Sequence, residues 1–213
     1  MNRFEIKQKD TDSSARLGLL RTAHGQVDTP VFMPVGTAGA VKGIHPQTLR
    51  QMGCSTILAN TYHMMLRPGV ELVEKLGGLH RLMSWEGPIL TDSGGYQIFS
   101  LDALTRIDED GVEFASHIDG EKIYLSPESA IDIQNRLGGD IIMAFDQCTP
   151  YPCPKDQLEN AVERTIRWAR ICRKRHTSDQ RLLFGIVQGE IDPAMRTYCA
   201  EQLVKMDFDG YAI

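Results

Sequence analysis

Asp92-Ser93-Gly94-Gly95-Tyr96-Gln97 places a carboxylate, a hydroxyl, two glycines, an aromatic ring and an amide in one unbroken stretch. It follows the apolar Pro88-Ile89-Leu90 and Thr91, a run that reads as a short buried strand. Adjacent glycines admit backbone shapes closed to other residues and let a ligand come close. A polar cluster on a loop held by a buried strand is how α/β enzymes build active sites. An ordinary Ser-Gly-Gly turn capped by Asp92 would use the same residues, so the stretch alone leaves both readings open.

Two further apolar runs end in polar groups. Asp140-Ile141-Ile142-Met143-Ala144-Phe145 runs into Asp146-Gln147-Cys148, and Leu182-Leu183-Phe184-Gly185-Ile186-Val187 runs into Gln188-Gly189. If these strands are neighbours, Asp92, Asp146 and Gln188 meet at one mouth. Two carboxylates and an amide suit a purine. Guanine offers adjacent N–H donors that a carboxylate accepts in bidentate fashion, and its O6 and N7 accept from an amide or a backbone N–H. Tyr96 is placed to stack on such a base. A second carboxylate is free to move a proton or to stabilise an oxocarbenium-like centre.

The elements that must position these groups follow a rhythm. Pro30–Val35, Ser55–Ala59, Pro88–Leu90, Asp140–Phe145, Leu182–Val187 and Gly210–Ile213 are six strand-like runs. Helical segments are expected at 45–53, 70–76, from Ser126-Pro127 onward, at 156–175 and from Asp192-Pro193 to about Met206. Ser126 and Pro127 are a helix cap and first turn. Continuous apolar strands alternating with helices indicate a parallel sheet covered on both faces. With no G-x-G-x-x-G after the first run, a (β/α)8 barrel is favoured over a dinucleotide-binding sheet. The expected fold is α/β: a TIM barrel, incomplete here at about six strands. Residues 1–28 read as an antiparallel prelude. The excursion from Phe99 to Leu125 reads as a β-hairpin turning near Asp119-Gly120, inserted after the third strand. The chain is expected to be a single domain over 1–213 and the N-terminal portion of a longer protein, because six strands fall short of closure.

Composition narrows the classes. The chain has 213 residues, 42% hydrophobic and 24% charged, enough to bury a core. No apolar run reaches the roughly 18 residues of a membrane helix, and the N-terminus has no signal-like apolar segment. Five cysteines without a C-x-x-C signal neither a disulfide framework nor a zinc site, so a cytoplasmic location is expected. A formal net charge of −5 gives no general attraction for nucleic acid. Along 156–175 an apolar face of Leu158, Ala161, Val162, Thr165, Ala169 and Cys172 opposes Arg164, Arg167, Arg170 and Lys174. Those cations read as a solvated face, with phosphate contact as the rival reading. His63, His80 and His117 show no ligand spacing.

Asp92–Gln97, Met143–Cys148 and Gly185–Glu190, with Thr29–Thr37 and Leu58–His63, together resemble the queuine tRNA-ribosyltransferase, or tRNA-guanine transglycosylase, family. Ala144 and Cys148 resemble its bacterial branch. The resemblance implies an irregular TIM barrel with a zinc-bearing C-terminal insertion, acting on tRNA. It implies exchange of guanine at the wobble position of tRNAs of the Asp, Asn, His and Tyr type (GUN anticodons) for the 7-deazaguanine preQ1, in queuosine biosynthesis. Residue by residue, it implies Asp92 as general acid/base. Ser93, Gly94, Gly95 and Tyr96 would frame the base, and Asp146 would accept its N1–H and amino group. Gln188 would take the carbonyl edge, Gly189 would leave room, and Cys148 would lie near the pocket. It implies a homodimer. It also implies a nucleophilic aspartate and zinc ligands, three cysteines and a histidine, that lie beyond Ile213, so no metal ligand is expected here. A non-catalytic accessory subunit of the same family is the alternative, but such a chain should have lost Asp92, Asp146 and Gln188.

Overall fold

Apolar segments of three to five residues make the centre of the molecule, each too short to be a regular helix. The computed structural model describes residues 3–101 and 105–213. Met1-Asn2 and positions 102–104 of the expected excursion lie outside the described residues.

The chain opens with β1 (Phe4–Lys9), β2 (Arg16–Thr22) and β3 (Gly25–Thr29), an antiparallel sheet that matches the expected prelude. Then come α1 (Pro46–Gln51), β4 (Ile57–Ala59), α2 (Thr61–Met64), an irregular turn over Met65–Gly69, α3 (Val70–Lys75), α4 (Leu79–Met83) and β5 (Ile89–Thr91). Next are α5 (Gly95–Leu101), the antiparallel β6 (Arg106–Ile107), β7 (Val112–Ala115) and β8 (Lys122–Leu125), and α6 (Pro127–Leu137). β9 (Ile141–Met143), α7 (Lys155–Arg175), β10 (Leu182–Ile186), α8 (Pro193–Val204) and β11 (Gly210–Ala212) finish the chain.

The central sheet has five strands in the order β11-β10-β9-β5-β4, all parallel. Parallel strands point their C-terminal ends one way, so Asn60, Asp92, Asp146 and Gln188 all leave the same edge of the sheet. The sequence pattern predicts six strands. Pro30–Val35 is not one of them: it meets β4 through a single bridge, Val35 to Leu58, flanked by Leu58 N–H to the Pro34 carbonyl at 2.9 Å and Gly36 N–H to the Leu58 carbonyl at 2.6 Å. Pro30 and Pro34 have no N–H to donate, which limits the run to that bridge.

Helix ends follow their capping residues. Ser126 Oγ accepts from Ser129 N–H and Ser129 Oγ accepts from Ser126 N–H, a reciprocal capping box that starts α6. Asp192 accepts from Ala194 and Met195 N–H at the start of α8. α7 buries Leu158, Ala161, Val162, Thr165, Ala169 and Cys172, as its periodicity requires, and adds Ile166 and Trp168. Trp168 stacks on Phe145 with ring centroids 5.0 Å apart, anchoring the segment that leads to Asp146. The β7–β8 hairpin turns around Asp119-Gly120 as expected, and β6 adds a third strand.

Candidate functional site

β5 delivers Asp92 to the strand-end edge, where the carboxylate is held from two sides. Oδ1 accepts from Thr61 N–H at 2.7 Å, and Oδ2 accepts from Asn60 Nδ2 at 2.5 Å and Gln97 Nε2 at 3.0 Å. Thr61 Oγ1 donates to the Asp92 carbonyl at 2.5 Å. Burial pushes the Asp92 carboxyl above its ordinary range, and these hydrogen bonds only partly offset it. To act on a substrate, Asp92 must exchange one of these partners. Asn60, Thr61 and Gln97 had no assigned role in the sequence, because nothing in residue spacing links positions 60 and 92.

Asp146 is nearly fully buried, 3% exposed. Its Oδ1 accepts from Ser93 Oγ at 2.9 Å, its Oδ2 from Gln188 Nε2 at 2.6 Å, and the Cys148 thiol lies 3.6 Å from Oδ2. Gln188 Nε2 also lies 3.4 Å from Cys148 Sγ. Burial raises the Asp146 carboxyl, the bonds from Ser93, Gln188 and Cys148 work against it, and the nearby Asp92 adds to the rise. Burial and the adjoining Asp146 also push the Cys148 thiol up, away from the thiolate form that a nucleophile needs. Ser93 is thus the link between the two carboxylates: its neighbour Asp92 sits on one side and its hydroxyl reaches Asp146 on the other.

The glycines play different parts. Gly94 has φ of +80°, a conformation that a side chain resists. Gly95 opens α5, so the Ser-Gly-Gly stretch is a strand-to-helix elbow rather than a plain turn. A Cβ at Gly95 would lie 2.9 Å from the Asp146 carbonyl oxygen and 3.2 Å from both Asp146 Oδ1 and Ser93 Oγ. Gly95→Ala should therefore pry the Ser93–Asp146 bond open and lower stability by about 1–3 kcal/mol. A thermal midpoint equal to wild type would show instead that the loop yields. At Gly189 the φ is +135°, and a Cβ would meet Arg196 N at 2.7 Å. The space its missing side chain leaves is taken by the α8 backbone. Tyr96, in the first turn of α5, is 67% exposed and free to cover a ligand.

His63 stands at this edge in an aromatic group with Tyr62 and His117, and Tyr62 Oη meets His117 Nδ1 at 2.9 Å. Burial, with His117 nearby, lowers the pKa of His63. Arg164 and Arg167 are not the open cationic face that helical periodicity suggested. Arg164 binds Gln147 Oε1 at 2.6 Å and Glu109 at 2.7 Å, Arg167 also binds Glu109, and Trp168 Nε1 donates to the Glu109 carbonyl. The inserted antiparallel unit brings Glu109 onto α7, a contact between positions too distant for periodicity to register.

The cysteines do not gather. Cys172 and Cys199 are buried, and Cys54, Cys148 and Cys153 are partly exposed, all as free thiols. A three-cysteine, one-histidine zinc set is not supplied by the described residues. The one grouping of possible metal ligands among them is His24, His80 and Asp140, which the histidine pattern in the sequence did not disclose. His24 Nδ1 meets Asp140 Oδ1 at 2.8 Å and His80 Nε2 meets Oδ2 at 3.0 Å. The two rings stack, centroids 3.6 Å apart and planes 19° apart. Ring nitrogens in near-parallel planes aim their lone pairs side by side rather than at one point, so the cluster is a hydrogen-bonded clamp. It ties the β2–β3 turn to the start of β9, and His24 and Ile89 N–H complete it.

Burial works to raise the Asp140 carboxyl, but hydrogen bonds from His80, Ile89 and His24 outweigh it and hold the group below its ordinary value of 3.8. A lowered carboxylate adds stability above the unfolded pKa and loses it as pH falls through the folded one. Asp140→Asn should cost about 3 kcal/mol at pH 7. The gap from wild type should narrow as pH falls below the usual carboxylate range. Parallel melting curves across that range would refute the clamp.

The chain matches the family model described as queuine tRNA-ribosyltransferase over residues 10–213. This chain belongs to that family. Among curated relatives described as queuine tRNA-ribosyltransferase, the protein of Caldanaerobacter subterraneus subsp. tengcongensis is 54% identical over 99% of this chain and 56% of its own length. That of Pelotomaculum thermopropionicum is 55% identical over 99% of this chain and 57% of its own length. That of Symbiobacterium thermophilum is 53% identical over 99% and 53%. The chain thus spans little more than half the length of the curated relatives it matches. No helix among the described residues is long and apolar enough to cross a membrane.

Proposed function

We propose that this chain carries the base-binding and proton-transfer half of a tRNA-guanine transglycosylase. Support comes from one observation above others: Asp92 and Asp146 leave neighbouring parallel strands and are joined through Ser93, with Gln188 on the same carboxylate. The buried carboxylate holds Ser93 on Oδ1 and both Gln188 and the Cys148 thiol on Oδ2, so it gains acceptor capacity for the N1–H and amino group of guanine as Gln188 turns from it to the base. Gln188, whose Nε2 now rests on Asp146, is within reach of the carbonyl edge, and Tyr96 closes over the ring. Adenine presents an acceptor where guanine presents N1–H, so Asp146 would repel it.

Exchange with retained configuration requires two displacements. A carboxylate attacks C1′ of the wobble nucleotide, the bond from C1′ to the base nitrogen breaks, and guanine departs. The incoming 7-deazaguanine, preQ1, then displaces the enzyme. Asp92 moves the proton of the departing and incoming base, and its raised pKa brings that transfer closer to neutral pH. The attacking carboxylate is assigned to a segment outside these residues, as are the zinc ligands. In the complete protein further strands would close the parallel sheet into a TIM barrel, and the protein would act as a homodimer on tRNAs with GUN anticodons. Presence of Asp92, Asp146 and Gln188 weighs against a purely accessory subunit.

The test is transfer of labelled guanine into tRNA. The full-length protein should incorporate label, whereas these 213 residues alone should incorporate none and bind no zinc. Incorporation by the 213 residues would overturn the division of the site, and its absence from the full-length protein would overturn the function.

A further inference from the structure

Gln134 lies in the middle of α6, on no strand end, yet its side chain is fully buried against the sheet. Its carboxamide is saturated. Oε1 accepts from Met143 N–H at 2.9 Å and from Thr91 Oγ1 at 3.0 Å, and Nε2 donates to the Met143 carbonyl at 2.8 Å and the Ala130 carbonyl at 3.2 Å. All four hydrogen-bonding positions of a primary amide are used. Met143 N–H must donate and its carbonyl must accept, so the amide can point only one way.

Pairing both the N–H and the carbonyl of one strand residue is what an adjacent strand does. That is the position Gln134 takes. β4 and β5 pair over three residues and β9 and β10 over three, but β5 and β9 pair only at Leu90–Ile141. Continuing that parallel register would set Asp92 opposite Met143. There the Met143 main chain turns to Gln134 instead, while the Asp92 main chain continues the β4 ladder, its N–H to the Ala59 carbonyl and its carbonyl to Thr61 Oγ1.

We propose that Gln134 is a positioning residue that stands in for strand pairing between β5 and β9. It parts their ends at Asp92 while fixing both, so that Asp92 and the segment from Met143 to Asp146 flank a planar base at a set separation. The inference rests on the transglycosylase reading for its consequence, but the wedge itself is a matter of structure. A leucine fills similar space without polar atoms and leaves Met143 N–H, its carbonyl and the Thr91 hydroxyl unpaired. A glutamate keeps the shape but cannot donate to two carbonyls.

The test uses full-length Gln134→Leu and Gln134→Glu, confirmed folded by circular dichroism. KM for guanine should rise at least about tenfold, since small misplacement of binding groups is costly, and kcat should change less. Amide hydrogen exchange should accelerate at least about tenfold in 89–94 and 141–146 while α7 keeps its protection. Unchanged KM and unchanged exchange in those segments would overturn the proposal. So would acceleration spread evenly over all elements, the mark of general destabilisation. If neither variant folds, Thr91→Val removes one bond only and should still raise KM; an unchanged KM again overturns the idea. Should wild type fail to exchange guanine, the functional reading falls, and the amide-exchange pattern alone decides the wedge.

Discussion

Asp92→Asn in the full-length protein should fold as wild type does and lose guanine exchange by a factor of about 10²–10⁴, the usual worth of a general acid/base. Folding is spared because the asparagine oxygen can still accept from Thr61 N–H, while its NH2, in the place of Oδ2, can donate to Gln97 Oε1 once that amide rotates. Proton transfer is not spared, because a carboxamide neither takes up nor releases a proton near neutral pH. The pH dependence should change with it. Burial holds Asp92 above its ordinary carboxylate value, so the rate limb it governs lies closer to neutrality than an exposed aspartate would set it. That limb should be absent from whatever activity Asp92→Asn retains. Near wild-type turnover would refute the role given to Asp92.

The second large effect is expected at Asp146. Asp146→Asn replaces a bidentate acceptor by a group that also donates, which mismatches one of the two guanine N–H groups, and guanine affinity should fall at least about 100-fold. Stability should move the other way. The Asp146 carboxyl is raised by burial, and a raised carboxylate contributes stability below its unfolded pKa that is lost as pH rises through its folded one. Above the folded pKa the ionised group is therefore a cost, and the substitution removes it once the Gln188 amide rotates to accept. A gain of about 1 kcal/mol would raise the melting midpoint by about 2–4 °C in a chain of this size. The gain should vanish toward pH 3. A variant both less stable at pH 7 and undiminished in guanine affinity would contradict both expectations.

Strand ends were the legible part of this site. Asp92, Asp146 and Gln188 each follow a largely apolar run, and parallel pairing of β5, β9 and β10 brings their ends to one edge. Helices with a marked start, such as α6 at Ser126-Pro127 and α8 at Asp192-Pro193, were equally readable. Short elements were not. α5 begins inside Ser-Gly-Gly, a composition that reads as turn, and α4 has only five residues, less than two periods of any helical pattern. Pro30–Val35 has the hydrophobicity of a strand but lacks the N–H groups to pair as one.

Side-chain partnerships were the illegible part. Asn60 to Asp92, Gln134 to Met143 and His24 to Asp140 join residues whose separation in sequence carries no period. Each is a polar group whose partner is fixed by tertiary placement rather than by local pattern. Tertiary burial raises Asp92 and Asp146 against their hydrogen bonds, and such partnerships hold Asp140 low, so the electrostatics of the site could not be read before its geometry.

Selection of guanine by the Asp146 edge is the property on which the proposed function depends. Calorimetric titration of the full-length protein with guanine and with adenine tests it most directly. Guanine should bind saturably and adenine at least about 100-fold more weakly, a preference that a donor-matching site of this kind imposes. Equal affinity for the two bases, or a preference for adenine, would contradict it.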